Sequence, residues 1–256
     1  MNTAEMLAKI MAKLGSEPLF YDFKYLKSDV AFKLKVNDGW YKITLVHSRI
    51  PSWWLKSKDG SEPDVDFLQI HPYAFRRFDK LCHWLRNFVN YEKKYVNYIT
   101  NIIIQPKDYD IPDEFYFCLD GSNFEKEYHR LYMMLEILME KIFEFPTLES
   151  LYERKLKNYL ISGIGNHPIG LMWIFPELML SRIIDPDNYP IFKDIMKDYL
   201  LELKEAKEPN YMSHESKIPA MFERLEQLGD EIRAQRTPMP DIEHDPIWDQ
   251  IQARLD

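Results

Sequence analysis

The chain has 256 residues, a formal charge of −8, 46% apolar and 14% aromatic residues, eight glycines and two cysteines. That length and apolar content support one large domain or two smaller ones with real cores and exclude a disordered chain. Scarce glycine argues against Gly-rich phosphate loops, and two cysteines, Cys82 and Cys118, exclude a disulfide scaffold and read as reduced, buried thiols.

Thr3 is placed to cap a first helix with Leu7, Ile10, Met11 and Leu14 on one face and Gly15 as its stop. Period two then takes over. Leu19, Tyr21, Phe23 and Tyr25 alternate with their neighbours, as do Val30, Phe32, Leu34 and Val36. After the turn Asn37-Asp38-Gly39 come Tyr41, Ile43 and Leu45, so an antiparallel meander is expected, with strands near 30–36 and 40–47. Its second face gathers Lys24, Lys33, Lys35 and Lys42. Those lysines, with Tyr41 or Trp40 as stacking rings, could follow a phosphate backbone, but they read as a solvated face, and the acidity of the whole chain opposes nucleic acid.

Ser48 to Pro63 reads as an irregular connection holding Trp53 and Trp54. Phe67–Ile70 suits a short strand, and a helix is expected from Tyr73 with Phe78, Leu81, Cys82, Leu85, Phe88 and Val89 inward. It could run on through Tyr91, Tyr95 and Tyr98, while Ile102-Ile103-Ile104 could be strand. Phe115, Phe117 and Leu119 alternate as a further strand. After Gly121 the pattern turns helical. Ser122 and Glu125 have capping-box spacing, and Phe124, Tyr128, Leu131, Leu135, Leu138 and Ile142 form an apolar stripe. Thr147 can cap the next helix, with Leu148, Leu151, Leu156 and Tyr159. Gly163 to Pro168 is a loop. Ile169–Ile184 should be a central buried helix kinked at Pro176. Pro190 opens a helix with Phe192, Ile195, Met196, Tyr199 and Leu203, and a later one uses Met221, Leu225, Leu228 and Ile232.

The fold class expected is therefore α+β: a sheet-containing region over 1–121, a helical bundle over 122–235 and an acidic tail over 236–256, with linkers short enough for one continuous domain. No basic stretch with a long apolar run opens the chain, and Leu171–Phe175 is too short to span a bilayer, so a soluble, cytoplasmic protein without membrane contact is expected.

Charge is the most directional signal. Residues 201–256 carry 13 Asp and Glu against 7 Lys and Arg, most of the net charge in the last fifth of the chain. There Asp245 can cap a short helix opening at Pro246, with Ile247, Trp248, Ile251 and Leu255 on one face. Asp241, Glu243, Asp245 and Asp249 beside Trp248, together with Trp53 and Trp54, suit capture of a basic protein partner, a toxin or effector. The expected function is a non-enzymatic binding module, an inhibitor, immunity protein or effector chaperone of bacterial type, with no cofactor and no metal. The alternative is a hydrolase or toxin-like transferase using His167 in the glycine turn with Glu177 or a thiol. None of the seven histidines stands in a metal-ligand spacing, and the Asp groups 64/66, 108/110/113 and 185/187 sit in Pro-containing turns where Asp bonds backbone.

Overall fold

The computed structural model describes residues 1–54, 64–88, 101–106, 113–153, 171–207, 209–212 and 215–235. They form an antiparallel sheet in the N-terminal half with helices after it, an α+β arrangement. Two compact units interleave along the chain. The first takes Met1–Arg76 and Ile102–Glu144, the second Arg77–Asn101 and the described chain from Phe145 on.

In the first unit, α1 spans Thr3–Gly15. Its cap is Asn2 rather than Thr3. Asn2 Oδ1 accepts from the Glu5 amide at 2.9 Å and Glu5 Oε2 accepts from the Asn2 amide at 2.9 Å, a reciprocal capping box. Met6, Ile10, Met11 and Leu14 are buried, and Leu7 is only half-buried because Met6 lies four residues before Ile10 on the inward face. The period-two reading fails over Leu19–Phe23. Pro18 opens a 3-10 turn, Pro18–Phe20, that turns Phe20 inward against Phe32 at 4.4 Å and leaves Tyr21 exposed. Strand β1 is only Lys24–Leu26.

Strands β2 (Ala31–Val36) and β3 (Gly39–Ile50) form the expected hairpin, with Val36 opposite Gly39. Gly39 has φ 103, a conformation that a side chain rarely adopts, which is why this turn ends on glycine. Phe32, Leu34, Val36, Tyr41, Ile43 and Leu45 are buried as their alternation predicts. Strand β4 runs Phe67–Arg77, so the helix expected from Tyr73 begins only at Asp79. The inward positions of β4 are Leu68, Ile70, Pro72, Ala74 and Arg76. A proline and a buried arginine in that row hide the strand period from a hydrophobicity reading. Strand β5 is Asn101–Ile104 and β6 is Phe115–Cys118. The sheet order is β1-β2-β3-β4-β5, and β6 pairs antiparallel with β4 from Phe67 opposite Cys118 to Ile70 opposite Phe115.

Helix α2 spans Asp79–Phe88 and α3 spans Phe124–Phe143. The buried stripe of α3 is the predicted one, Phe124 to Ile142, and with α1 it closes the inner face of the sheet. Phe124 packs on Phe117 at 5.9 Å, Phe143 meets Tyr41 edge-on at 4.9 Å, and Lys9 Nζ lies 3.7 Å from the Phe124 ring centre. Ser122 and Glu125 do not form the expected capping box. The cap position is Asn123, and its side chain ties the end of β6, accepting from the Cys118 amide at 2.8 Å and donating to the Tyr116 carbonyl at 2.7 Å.

The second unit is helical among its described residues apart from strand ends. Helices α4 (Leu148–Leu151), α5 (Leu171–Ile184), α6 (Tyr189–Glu205), α7 (Pro209–Met212) and α8 (Ile218–Gln235) follow in order. Thr147 caps α4 with Ser150, as expected. Helix α5 packs against α2, α4, α6 and α8, burying Phe175, Leu178, Met179, Leu180 and Ile183, which is what its nearly all-apolar sequence requires. No strand lies beyond Cys118 among the described residues, and none of the described helices is long and apolar enough to cross a membrane.

Candidate partner-binding surface

Three surfaces have chemistry beyond folding. The first is the turn after β3. Pro51 leads into a 3-10 turn, Ser52–Trp54, and both indoles face outward, 59% and 66% exposed. They meet edge to face at 5.8 Å, so each ring covers part of the other while the outer faces stay open. Asp66 braces the turn from beneath. Its Oδ1 accepts from the Ser52 amide at 2.9 Å, its Oδ2 accepts from Arg49 Nε at 2.9 Å, and its carbonyl accepts from the Leu119 amide at 2.9 Å. Arg49 first, and the Ser52 amide second, hold the Asp66 carboxyl below its ordinary value. Beside it Ser48 Oγ donates to Gln69 Oε1 at 3.0 Å and Gln69 Nε2 donates to the Tyr116 hydroxyl at 3.1 Å. Burial, and then the bond from Tyr116 to Glu114, pushes that phenol up to about 12. The platform is rigid at its base and apolar at its tip.

The second surface is the outer face of α6. Ile191, Asp194, Asp198, Leu201, Glu202 and Glu205 are all exposed, and at 100° per residue they fall within an arc of about 100°. Ile191 and Leu201, 59% and 56% exposed, share this face with the carboxylates. Asp194 meets Lys197 at 3.4 Å. Only Glu202 and Glu205 fall within the acidic last fifth read from composition. The spacing 194, 198, 202, 205 is the sequence signal for the rest, since i, i+4, i+8 and i+11 share one helix face.

A half-buried cluster around the buried Arg182 and Tyr189 holds α6 and α8 beside α5. Arg182 Nη1 lies 2.7 Å from Glu226 Oε2 and its Nη2 donates to Asp230 Oδ1 at 2.7 Å. Glu226 Oε1 accepts from the Tyr189 hydroxyl at 2.8 Å and from Lys193 Nζ at 2.9 Å. Burial and then Glu226 raise the Tyr189 phenol. Desolvation acts to raise Glu226, but Lys193, Tyr189 and Arg182 outweigh it and hold the carboxyl below its ordinary value. Gly229 makes room for this cluster. A Cβ there would stand 1.8 Å from Arg182 Nε.

The third surface is the outer face of the sheet. Lys24 stands opposite Lys33, and Lys33 opposite Lys42, across three neighbouring strands. Lys35 stands opposite Trp40. Lys33 Nζ and Lys42 Nζ lie 4.9 and 5.5 Å from the Trp40 ring centre, Lys42 lies 5.5 Å from that of Phe75, and Asp29 reaches Lys42 at 3.7 Å. Tyr41, expected as a possible stacking ring, is on the inner face and fully buried.

Of the residues singled out from sequence, Trp53 and Trp54 are together and outward. Asp241, Glu243, Asp245, Trp248 and Asp249 lie outside the described residues, as do His167, its glycine turn, Tyr91–Tyr98 and Asp108/Asp110. Glu177 is half-buried on α5. Cys82 is buried, whereas Cys118 is only half-buried because it sits on the outer side of β6 with Tyr116, and neither is in a disulfide. Asp185 accepts from the Tyr152 hydroxyl at 2.6 Å and from Asn188 Nδ2 at 2.8 Å, a turn role. Among the described residues no three His, Cys, Asp or Glu side chains gather as a metal-ligand set.

A scan against protein-family models and searches of curated proteins and of solved structures found nothing that matches this chain.

Proposed function

We propose that this chain is a non-enzymatic protein-binding module that takes a basic protein partner and occludes the surface it covers. The observation that carries the reading is the pair of exposed indoles on a turn braced by Asp66. Tryptophan is a favoured interface anchor, and a pre-braced turn loses little conformational freedom on docking. Acidic side chains supply the charge preference. Glu202, Glu205, Glu223 and Glu231 are exposed on α6 and α8, and Asp241, Glu243, Asp245 and Asp249 stand beside Trp248 in the tail sequence. Such charges mainly speed encounter and reject wrong partners, while the rings supply affinity. An inhibitor, immunity protein or effector chaperone is the concrete form this chemistry suits.

The test is affinity capture from the native host with the full chain and with the Trp53→Ala/Trp54→Ala variant. One basic protein recovered at stoichiometric yield is expected, bound about ten-fold or more weakly by the variant at an unchanged melting temperature. Deleting residues 237–256 should act in the same way. Undiminished capture by both variants, or a partner without a basic surface, overturns the proposal.

A further inference from the structure

Strand β3 outruns the strand beside it. The β2 register ends with Ala31 opposite Thr44, and the Leu45 amide donates to the Val30 carbonyl at 3.1 Å, after which β3 continues to Ile50. In an antiparallel sheet the backbone groups of successive residues point to opposite sides. Because the Leu45 amide points to the β2 side, His47 and Arg49 aim their N–H and C=O groups along the lane that β2 has left, and Val46, Ser48 and Ile50 turn theirs to β4. Val46, His47, Ser48 and Arg49 are all exposed, Val46 by 50%. Among the described residues no turn or loop backbone bonds to His47 or Arg49.

An exposed strand edge is a template for another extended chain unless shortness, lysine, proline or a covering element blunts it. β1, at the end of the sheet, is blunted: it is short and carries Lys24. Residues 46–50 of β3 hold neither lysine nor proline. The Arg49 guanidinium is drawn across to Asp66 on the β4 side, and the His47 ring lies back with Nδ1 3.4 Å from the Leu45 carbonyl. The open stretch ends at Pro51 and the turn that carries the outward Trp53 and Trp54. Two apolar anchors thus stand at the end of an unprotected edge.

We infer that an extended segment of the protein partner adds to the sheet as a strand beside residues 46–50, with its end against Trp53 and Trp54. The inference rests on the reading of that turn as a docking site and says how the partner is held there. The groups presented fix the occupant. N–H and C=O groups repeating every second residue, about 6.8 Å apart, are matched by another extended backbone, whereas a helix has its own groups engaged. Val46 and Ile50 share the outer face, so apolar side chains at alternate positions of the incoming strand pack beside them.

Amide hydrogen exchange of the full chain, read by NMR, tests it with the end-blocked peptide Lys-Thr-Val-Thr-Val-Thr-Lys, whose basic ends match the charge of the partner. In the free protein the His47 and Arg49 amides should exchange about a hundred-fold faster than those of Val46 and Ser48, which the β4 ladder holds. Saturating peptide should slow the first two by about ten-fold or more and leave the others as they were. Methylating the backbone nitrogens of the peptide threonines, which stand opposite His47 and Arg49 when the valines share the face of Val46, should abolish that protection; methylating those of the valines should leave it. His47→Pro removes one edge donor without touching the β4 ladder and should weaken the peptide by about ten-fold at a nearly unchanged melting temperature. Val46→Lys, which blunts the edge, keeps the test decisive if the proline variant does not fold. Slow exchange at His47 and Arg49 in the free monomer, or no protection by the peptide, overturns the inference. Protection of these amides that grows with protein concentration alone overturns it in favour of a second copy of this chain. A native partner held through the tryptophans and indifferent to His47→Pro overturns the added strand while leaving the docking turn in place.

Discussion

Each compact unit buries an arginine, and the two are held by different chemistry. Arg76, inward on β4, donates from Nη1 to the Asp38 carbonyl at 2.8 Å and lays its guanidinium 4.6 Å from the Tyr41 ring centre. Arg182, on α5, is gripped by Glu226 and Asp230 and faces Tyr189 at 5.1 Å. A sheet presents ordered carbonyls at its hairpin turn and a flat ring one strand away. Three packed helices have their carbonyls engaged along their axes and must bring carboxylates instead. The helical solution has a side effect that the sheet lacks: it demands a glycine in mid-helix, at Gly229, to admit the guanidinium.

Gly229→Ala should give the largest effect. Its Cβ displaces Arg182 from both carboxylates, and losing a buried ion pair costs about 3–5 kcal/mol, less here because Asp230 faces solvent. Better helix propensity returns about 1 kcal/mol, leaving a net loss of about 2 kcal/mol by urea titration. Combined with Arg182→Met the glycine substitution should become nearly neutral, and an unchanged penalty would show that Arg182 is not the obstacle.

Arg76→Lys is the matching change in the sheet. An ammonium keeps the charge but cannot both donate to the Asp38 carbonyl and lie flat on Tyr41, so a loss of about 1 kcal/mol is expected in the same titration. A neutral result would reduce the site to simple charge burial.

Acid should separate the two units further. Because Glu226 is held below its ordinary value of 4.5, its contribution is present above that pH and is lost as pH falls through the folded value. Melting temperature followed from neutral pH downward should therefore drop below about pH 4.5, and Glu226→Gln should flatten that limb. A limb of equal steepness in the variant would place the acid sensitivity elsewhere.

The smallest effect concerns the half-buried brace, Asp66, in the sheet unit. Asp66→Asn keeps the acceptor for the Ser52 amide but weakens the grip of Arg49. Melting should barely change, while the steady-state anisotropy of tryptophan emission falls as the Trp53–Trp54 turn loosens. Unaltered anisotropy would mean that the Ser52 bond alone sets the turn.

What was legible in the sequence follows from periodicity. The β2–β3 hairpin and the α3 stripe are readable because the apolar residues that define them face inward at their proper intervals. β4 is not, because Pro72 and Arg76 occupy inward positions, and the Asp38 carbonyl and the Tyr41 ring that help to make the arginine acceptable there come from elsewhere in the chain. The Asn2 cap and the Asn123 tie escape a sequence reading for a related reason: several neighbouring residues can cap, and backbone geometry chooses among them. In the candidate surfaces the identity of the rings is plain, but their exposure is not. Trp53 and Trp54 could have folded over the sheet, and the bond from the Ser52 amide to Asp66 helps to fix the turn that holds them outward.

Residue spacing and composition were enough for the class of fold, the hairpin, the central apolar helix α5 and the segregation of charge, because each of these is a local property of the chain. The row of Lys24, Lys33 and Lys42 and the service of Gly229 to Arg182 exist only in three dimensions. Strand register and helix packing bring together residues far apart in the chain. No local pattern encodes which of the many pairings open to them has the lowest free energy.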